Sequence, residues 1–285
     1  MKRLKLLALL AIALGILALS ACSDTPATIQ TDWDGEVTNT LTELPPIWEI
    51  PPSTDTSTIG QWLTVDELLQ LTPLTPGELL ATMHTSHGDI TLRFFPQQAP
   101  VAVENFLTHA WDGFYDGLSF HRVIEDFMIQ GGCPQGTGMG GQSIWGGTFG
   151  QELDTNLRHF RGALAMAQSS APQSIGSQFY IVQNTALDPH TRADFVHMLE
   201  NQNEIFAEFA DGSVATIGDV HPEEALRTFL EYGGTPHLDM HFSENPHTVF
   251  GHAVSGMDVV DAIVLAGNGE AIINGFSFHL YGGGE

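Results

Sequence analysis

The chain has 285 residues, of which 34 are Asp or Glu and nine are Lys or Arg, for a formal net charge of −25. That length supports one sizeable core with additions. The charge argues against nucleic acid and anionic lipid head groups as partners, because a surface of that sign repels both.

In chain order, Lys2, Arg3 and Lys5 precede an uncharged run from Leu6 to Ala21. Its sixteen residues fall short of the roughly 18 to 20 that a spanning helix needs, and the small residues at its end read as a secretory signal. Leu19-Ser20-Ala21-Cys22 resembles the lipobox of bacterial lipoproteins. The resemblance implies that 1–22 is a lipoprotein signal, that Cys22 is diacylated, and that the protein is held outside the cytoplasm on the bacterial cell membrane. Two or more acyl chains hold a protein stably where one does so marginally. Removing the three basic residues of the signal takes the net charge from −25 to −28 and leaves no lysine. Cys133 then stands alone, so no intramolecular disulfide is expected and stability must come from the core.

Residues 23–80 read as a tether with a short helical lead-in. The first part is rich in Thr, Pro, Ser and Asp and includes Pro45-Pro46 and Pro51-Pro52. Leu63, Val65, Leu68, Leu69 and Leu71 suggest a short helix broken by Pro73 and Pro76. From Ala81 the texture changes to strands and turns. The stretches 82–86 and 90–95 flank a hairpin turn. Pro100 opens a helix with Val103, Phe106, Leu107 and Ala110 on one face, stopped by Gly113. Strands are predicted at 119–124, 127–131, 162–167, 177–183, 247–254 and 273–281. Ser255-Gly256-Met257-Asp258 matches a capping box before Val259, Val260, Ile263 and Val264. Within 185–235 two helical patterns, 192–210 and 222–232, read as an insertion between strands. The fold class is therefore mainly β: a closed barrel with helical covers and a helical insertion.

Four linked motifs carry more than this pattern. They are Phe120-His121-Arg122-Val123-Ile124 with Phe127-Met128-Ile129-Gln130-Gly131-Gly132; Arg161-Gly162-Ala163-Leu164-Ala165-Met166-Ala167; Gly176-Ser177-Gln178-Phe179-Tyr180-Ile181; and His247-Thr248-Val249-Phe250-Gly251. In that order they resemble the signatures of the cyclophilin-type peptidyl-prolyl cis-trans isomerases, over about 82–183 and 236–281. The resemblance implies an eight-stranded antiparallel barrel over 81–285, capped by two helices, with the active site on its outer face. It implies Arg122 as the catalytic guanidinium and Gln130 as the residue that orients it. Phe127, Met128, Tyr180 and Leu238 would line a proline pocket. Ala167 and Gln168 would meet the substrate backbone, and Gln178 and His247 would complete the rim. Proline-containing segments of exported proteins would be the substrates, assisted in folding by a monomer with no cofactor, metal or nucleic acid.

Four departures from the pattern matter. Tyr180 stands where Phe is usual, and its hydroxyl needs a partner or costs stability. Gln168 replaces the usual Asn. His237 takes the place of a tryptophan found in some relatives. The insertion leaves Leu187 as a rival to Leu238 in the pocket. Two other readings are open: a proline-segment-binding chaperone or scaffold with little turnover, and a metal site on a strand face bearing His237, Asp239 and His241. The insertion is expected to wall one side of the groove. Its carboxylates, including Glu200, Glu204, Glu208, Asp211, Glu223 and Glu224, would favour basic segments near the proline.

Overall fold

The computed structural model describes residues 37–42, 67–171, 173–209 and 212–282. The signal, Cys22 and most of the stretch read as a tether lie outside the described residues.

Nine strands form one sheet in which every neighbouring pair is antiparallel. They are β1 (Val37–Thr40), β2 (Leu79–Thr85), β3 (Gly88–Phe94), β4 (Arg122–Ile124), β5 (Met128–Gly131), β6 (Ala163–Met166), β7 (Phe179–Val182), β10 (Val249–Ser255) and β11 (Ile273–Tyr281). The order is β1-β11-β2-β3-β10-β6-β7-β5-β4. The eight strands from β11 to β4 match the expected count. Closure is less than a continuous ladder: beside the two ends of this eight-strand set lie the isolated bridge Ser119 to Ile272 and the backbone hydrogen bonds Gly117 N–H to Ile273 O, Ile273 N–H to Leu118 O, Phe120 N–H to Ala271 O and Gly269 N–H to Phe120 O. β1, within the stretch read as tether, pairs with the outer side of β11. Leu79 and Leu80, read as lead-in, already belong to β2, where Leu80 is buried. Ahead of them the described lead-in holds a single 3-10 turn at Leu69–Leu71.

The main core lies between one face of the sheet and two helices, α1 (Pro100–Trp111) and α5 (Met257–Ala266). Val103, Phe106, Leu107 and Ala110 are all buried, as their spacing requires. Phe106 is the hub, with Phe179 edge-on at 5.1 Å and Phe250 at 5.3 Å. The open N–H groups of α1 are capped from a distance: the Glu152 carboxylate accepts from Val101 N–H at 3.0 Å and Ala102 N–H at 2.8 Å. The capping box expected at α5 does not form. Gly256 is the N-cap, in the left-handed region with φ 87° and no side-chain cap. A Cβ there would meet Asp89 O at 2.3 Å, so close approach to β3 fixes glycine at the position.

The insertion is ordered but is not two helices. α2 runs from Pro189 to Glu200 and ends at Asn201. Ile205–Glu208 (β8) and Val214–Thr216 (β9) then pair as a hairpin, where 192–210 was expected to continue as helix. The run Asn201-Gln202-Asn203 stops the helix, and Ile205-Phe206 and Val214 are better strand formers. A capping box does occur at Thr216 and Asp219, opening the single turn α3 (Ile217–Val220). The second expected helix is α4 (Glu223–Tyr232). Phe195 and Phe229 pack with Leu226 and Leu187 on barrel Phe160 and lead-in Leu68. Phe206 lies at the surface, edge-on to His221 at 5.1 Å.

Candidate active site

The site follows from strand register. Arg122 on β4 faces Gln130 on β5, Gln130 faces Tyr180 on β7, and Tyr180 faces Ala165 on β6. Opposed residues share a sheet face, and so do residues two apart along a strand. Met128, Gln130, Tyr180, Val182 and Ala165 therefore stand on one face, while Ile129, Phe179, Ile181 and Leu164 enter the main core on the other. The candidate site is on the face turned away from that core.

An apolar cluster occupies this face. Met128 and Tyr180 are its buried floor, and Phe127, Ala167 and Leu238 pack against it half-exposed. Leu238 sits in a 3-10 turn, Pro236–Leu238, and its carbonyl accepts the N–H of His247 at 3.0 Å. Leu187, the alternative to Leu238, is instead in the core of the insertion. The His247 ring stands edge-on to Tyr180 at 5.6 Å. Burial, with His159 nearby, lowers the His247 pKa to about 4, so the ring is neutral at physiological pH.

One polar chain borders the apolar cluster. Arg122 Nη1 donates to Gln130 Oε1 at 3.1 Å, and Gln130 Nε2 donates to Gln178 Oε1 at 2.9 Å. Gln178 Nε2 donates to the carbonyls of Gly138 at 2.9 Å and Gly140 at 2.7 Å. Those two carbonyls decide every amide orientation: they require an NH2 group, which turns Gln178 Oε1 to Gln130 and leaves Gln130 Oε1 for the arginine. The Arg122 guanidinium carbon lies 5.7 Å from the Phe127 ring centre, and Nη1 is 4.0 Å from Met128 sulfur. Arg122 is itself exposed. The result is an exposed cation, oriented by Gln130, beside an apolar cluster. Gln168 commits its side chain to Pro246 O at 2.8 Å and Asn245 Oδ1 at 3.1 Å. Beyond Gln130 and Gln178 a hollow opens over Gly138, Gly140, Thr148 and Ala167.

The hydroxyl of Tyr180 has its partner. Its oxygen is 2.9 Å from His159 Nε2, and His159 Nδ1 is 2.6 Å from Asp239 Oδ1, which also accepts the backbone N–H of His159 at 2.8 Å. All three side chains are buried. The carboxylate assigns the proton to Nδ1, so Nε2 accepts from the tyrosine. Burial pushes the Tyr180 hydroxyl well above its usual pKa, reinforced by Asp239, and keeps it a donor. His159 was not singled out from sequence, and Asp239 only as part of a metal face. A tyrosine at a phenylalanine position was the one signal that such a partner exists. The metal face itself is not built: 236–238 is a 3-10 turn, His237 lies against Phe127 at 5.6 Å, Asp239 holds His159, and His241 Nδ1 meets the buried Arg158. Among the described residues no three His, Cys, Asp or Glu converge as metal ligands.

Residues 80–272 match the family described as cyclophilin type peptidyl-prolyl cis-trans isomerase/CLD. A Staphylococcus aureus protein bearing the name of a peptidyl-prolyl cis-trans isomerase is 44% identical over 187 residues, covering 66% of this chain and 81% of its own. A protein of the same name from Staphylococcus saprophyticus is 41% identical over 192 residues, covering 67% and 84%. A crystal structure from Cryptosporidium parvum, of a cyclophilin type peptidyl-prolyl cis-trans isomerase, aligns at 25% identity over 71% of this chain and 97% of its own, with a TM-score of 0.49.

Proposed function

We propose, from the premise that this chain belongs to the cyclophilin-type peptidyl-prolyl cis-trans isomerase family, that it speeds X-Pro isomerisation in exported proteins by stabilising the twisted bond with Arg122. Amide resonance sets a rotation barrier of about 18–20 kcal/mol, and X-Pro bonds exchange over tens to hundreds of seconds unaided. In the twisted state the proline nitrogen becomes pyramidal and gains a lone pair. A guanidinium can donate to that lone pair and not to the planar amide, so the interaction exists in the transition state alone. Arginine suits the task because it stays protonated and its fork is rigid. Gln130, fixed by Gln178, holds that fork in place. Phe127, Met128, Tyr180 and Leu238 grip the ring, and Ala167 and Gln168 offer backbone to the residue before it. His247 closes the rim as a neutral ring. No cofactor enters the scheme.

The observation that carries this reading is the oriented chain from Arg122 through Gln130 to Gln178 beside the apolar cluster. It favours turnover over a scaffold that only holds proline segments, because holding a ring needs no fixed cation. The test is a proline-peptide isomerisation assay on the chain without residues 1–22, run without added cofactor. Arg122→Ala should lower kcat/KM by about 10²- to 10³-fold while circular dichroism and the unfolding midpoint stay those of the parent. Equal activity in the two would remove Arg122 from the mechanism.

We further propose that the protein acts as a monomer outside the cytoplasm, held to the cell membrane by acyl chains on Cys22. The support is the lipobox-like Leu19-Ser20-Ala21-Cys22 after a charged, then apolar, leader. Cys22→Ala should move the protein from the membrane fraction to the soluble fraction or stall its processing. A mature N-terminus elsewhere, without acyl mass, would refute the anchor.

A further inference from the structure

A cleft of about 210 Å³ separates α2 from the segment by which the insertion returns to the barrel. We propose that this cleft is a subsite for a lysine or arginine side chain flanking the substrate's proline. The proposal rests on the isomerase reading and names the substrate class that the insertion selects.

Three observations converge. The first is position. His237 lines the cleft and its ring lies 5.6 Å from that of Phe127 in the proline pocket, so the cleft is one ring beyond the pocket. An extended chain advances about 3.4 Å per residue, so a side chain roughly two residues from the proline reaches it. The hollow over Gly138 and Gly140 is approached from the other end of the site, past Gln130 and Gln178.

The second is shape and polarity. Leu187 and Phe195 form a buried floor, with Met198 and Phe242 beside them, half-buried. The volume takes one long side chain and no folded partner. The third is charge. Asp188 and Asp194 line the cleft and are exposed. Asp188 caps α2, accepting from the His190 and Thr191 amides and the Thr191 hydroxyl. These bonds, the hydroxyl's first, hold its pKa below the usual carboxylate value. They also occupy the free amides of the helix start, so little positive potential offsets the carboxylates. Asp194 pairs with His190 at 2.9 Å among the described residues. Arg192, the nearest arginine in sequence, turns to the Leu230 carbonyl. Partial burial and His159 lower the His237 pKa against the carboxylates of Asp239 and Asp188, which raise it.

An apolar floor under acidic walls is the complement of a side chain with a hydrocarbon stem and a cationic head. A purely apolar side chain would use the floor and not the carboxylates. An acidic one would be repelled.

The experiment uses the chain without residues 1–22 and proline peptides that carry Lys, Arg, norleucine, Glu or Ala two residues to either side of the proline. At low salt the parent should prefer Lys or Arg to Glu by about fivefold in kcat/KM, on one side of the proline only. Norleucine should fall between them, and added salt should shrink the preference. Asp188→Asn with Asp194→Asn keeps the helix cap and should bring Lys and norleucine level. Met198→Trp, which fills the cleft, should remove the advantage of Lys and norleucine together. Equal rates for Lys and Glu in the parent, or a Lys preference that survives both variants, would overturn the subsite. If the Ala peptide is not turned over at all, the isomerase reading fails; the same ranking, read as affinity by NMR titration, still decides the cleft.

Discussion

The two sides of the proline pocket are built by different means. On one side Arg122, Gln130, Tyr180 and Ala165 take their places from neighbouring strands whose registers align them in a row. On the other, Leu238, His237 and His247 sit on irregular backbone that returns from the insertion. Backbone pairing reaches that side through one isolated bridge, Phe160 to Gly234, with Thr235 N–H donating to His159 O at 2.8 Å. Otherwise that side is held by buried polar contacts from distant residues: Asp239 to His159 and on to Tyr180, and Arg158 to His241 and to Val220 O at 2.7 Å. A ladder spreads its hold over many backbone bonds, whereas a buried polar network concentrates it in a few groups that cannot lose a partner cheaply. The strand-built side should therefore tolerate substitution in stability and respond in activity, and the return segment should do the reverse.

Acid should make the largest difference. Burial lowers the pKa of His221 and His252 to about 3 and of His247 to about 4, with Arg158 adding to the first, Arg93 to the second and His159 to the third. A histidine depressed in the folded state is protonated first in the unfolded chain. Its contribution is present above the unfolded value, about 6.5, and is lost as pH falls from there towards the folded value. Each such proton costs about 1.4 kcal/mol per pH unit, so together the three remove up to about 4 kcal/mol per unit below pH 6. Denaturant titrations at pH 7, 6 and 5 read this before most carboxylates titrate. His221 and His247 belong to the insertion and its return, and His252 to β10. Hydrogen exchange should therefore show the insertion side opening first. Stability that is flat from pH 7 to 5 would break the comparison.

Asp239 is the sharper cut. Asp239→Ala leaves the His159 ring and its backbone N–H without their acceptor in a buried site, and each buried donor left unsatisfied costs about 1–3 kcal/mol. Gln130→Ala, in the ladder, should change the unfolding free energy by less than about 1 kcal/mol and lower kcat/KM about tenfold through a freed Arg122 fork. The pair of variants, each read by denaturation and by turnover, should give opposite profiles. Similar losses of stability in both would mean that the two sides are held alike.

The same division decides what was legible in the sequence. Periodicity of two and of 3.6 locates the strands and α1, because main-core burial repeats along the chain. The motif resemblance singles out Arg122, Phe127, Gln130 and Gln178, which sit on or beside those strands. The 205–208 strand carries a helical pattern as well, because three apolar positions, Ile205, Phe206 and Ala207, fit either period in so short a run. The opening of α5 at Gly256, where a capping box led by Ser255 was expected, is not legible because a close approach to β3 leaves no trace in local sequence. His159 and Asp239 are 80 residues apart, and no spacing rule joins them. The departure at Tyr180 pointed to a missing partner without naming it.

Tyr180→Phe gives the smallest effect and the finest test. The substitution keeps the ring that lines the pocket and removes one hydroxyl. His159 Nε2 then loses its donor in a buried site, a loss of about 1–2 kcal/mol. Part of that is returned because the hydroxyl no longer has to be desolvated, so a net change of about 1 kcal/mol is expected. Activity on a simple proline peptide should stay within about twofold, since the ring and Arg122 are untouched. The informative quantity is the coupling to Asp239. If tyrosine, histidine and aspartate act as one relay, the cost of Tyr180→Phe should largely vanish in an Asp239→Asn background, where the histidine is free to change its tautomer. A double-mutant cycle by urea denaturation would then give a coupling of about 0.5–1 kcal/mol. Strict additivity would separate the tyrosine from the return segment and leave its hydroxyl a local feature of β7.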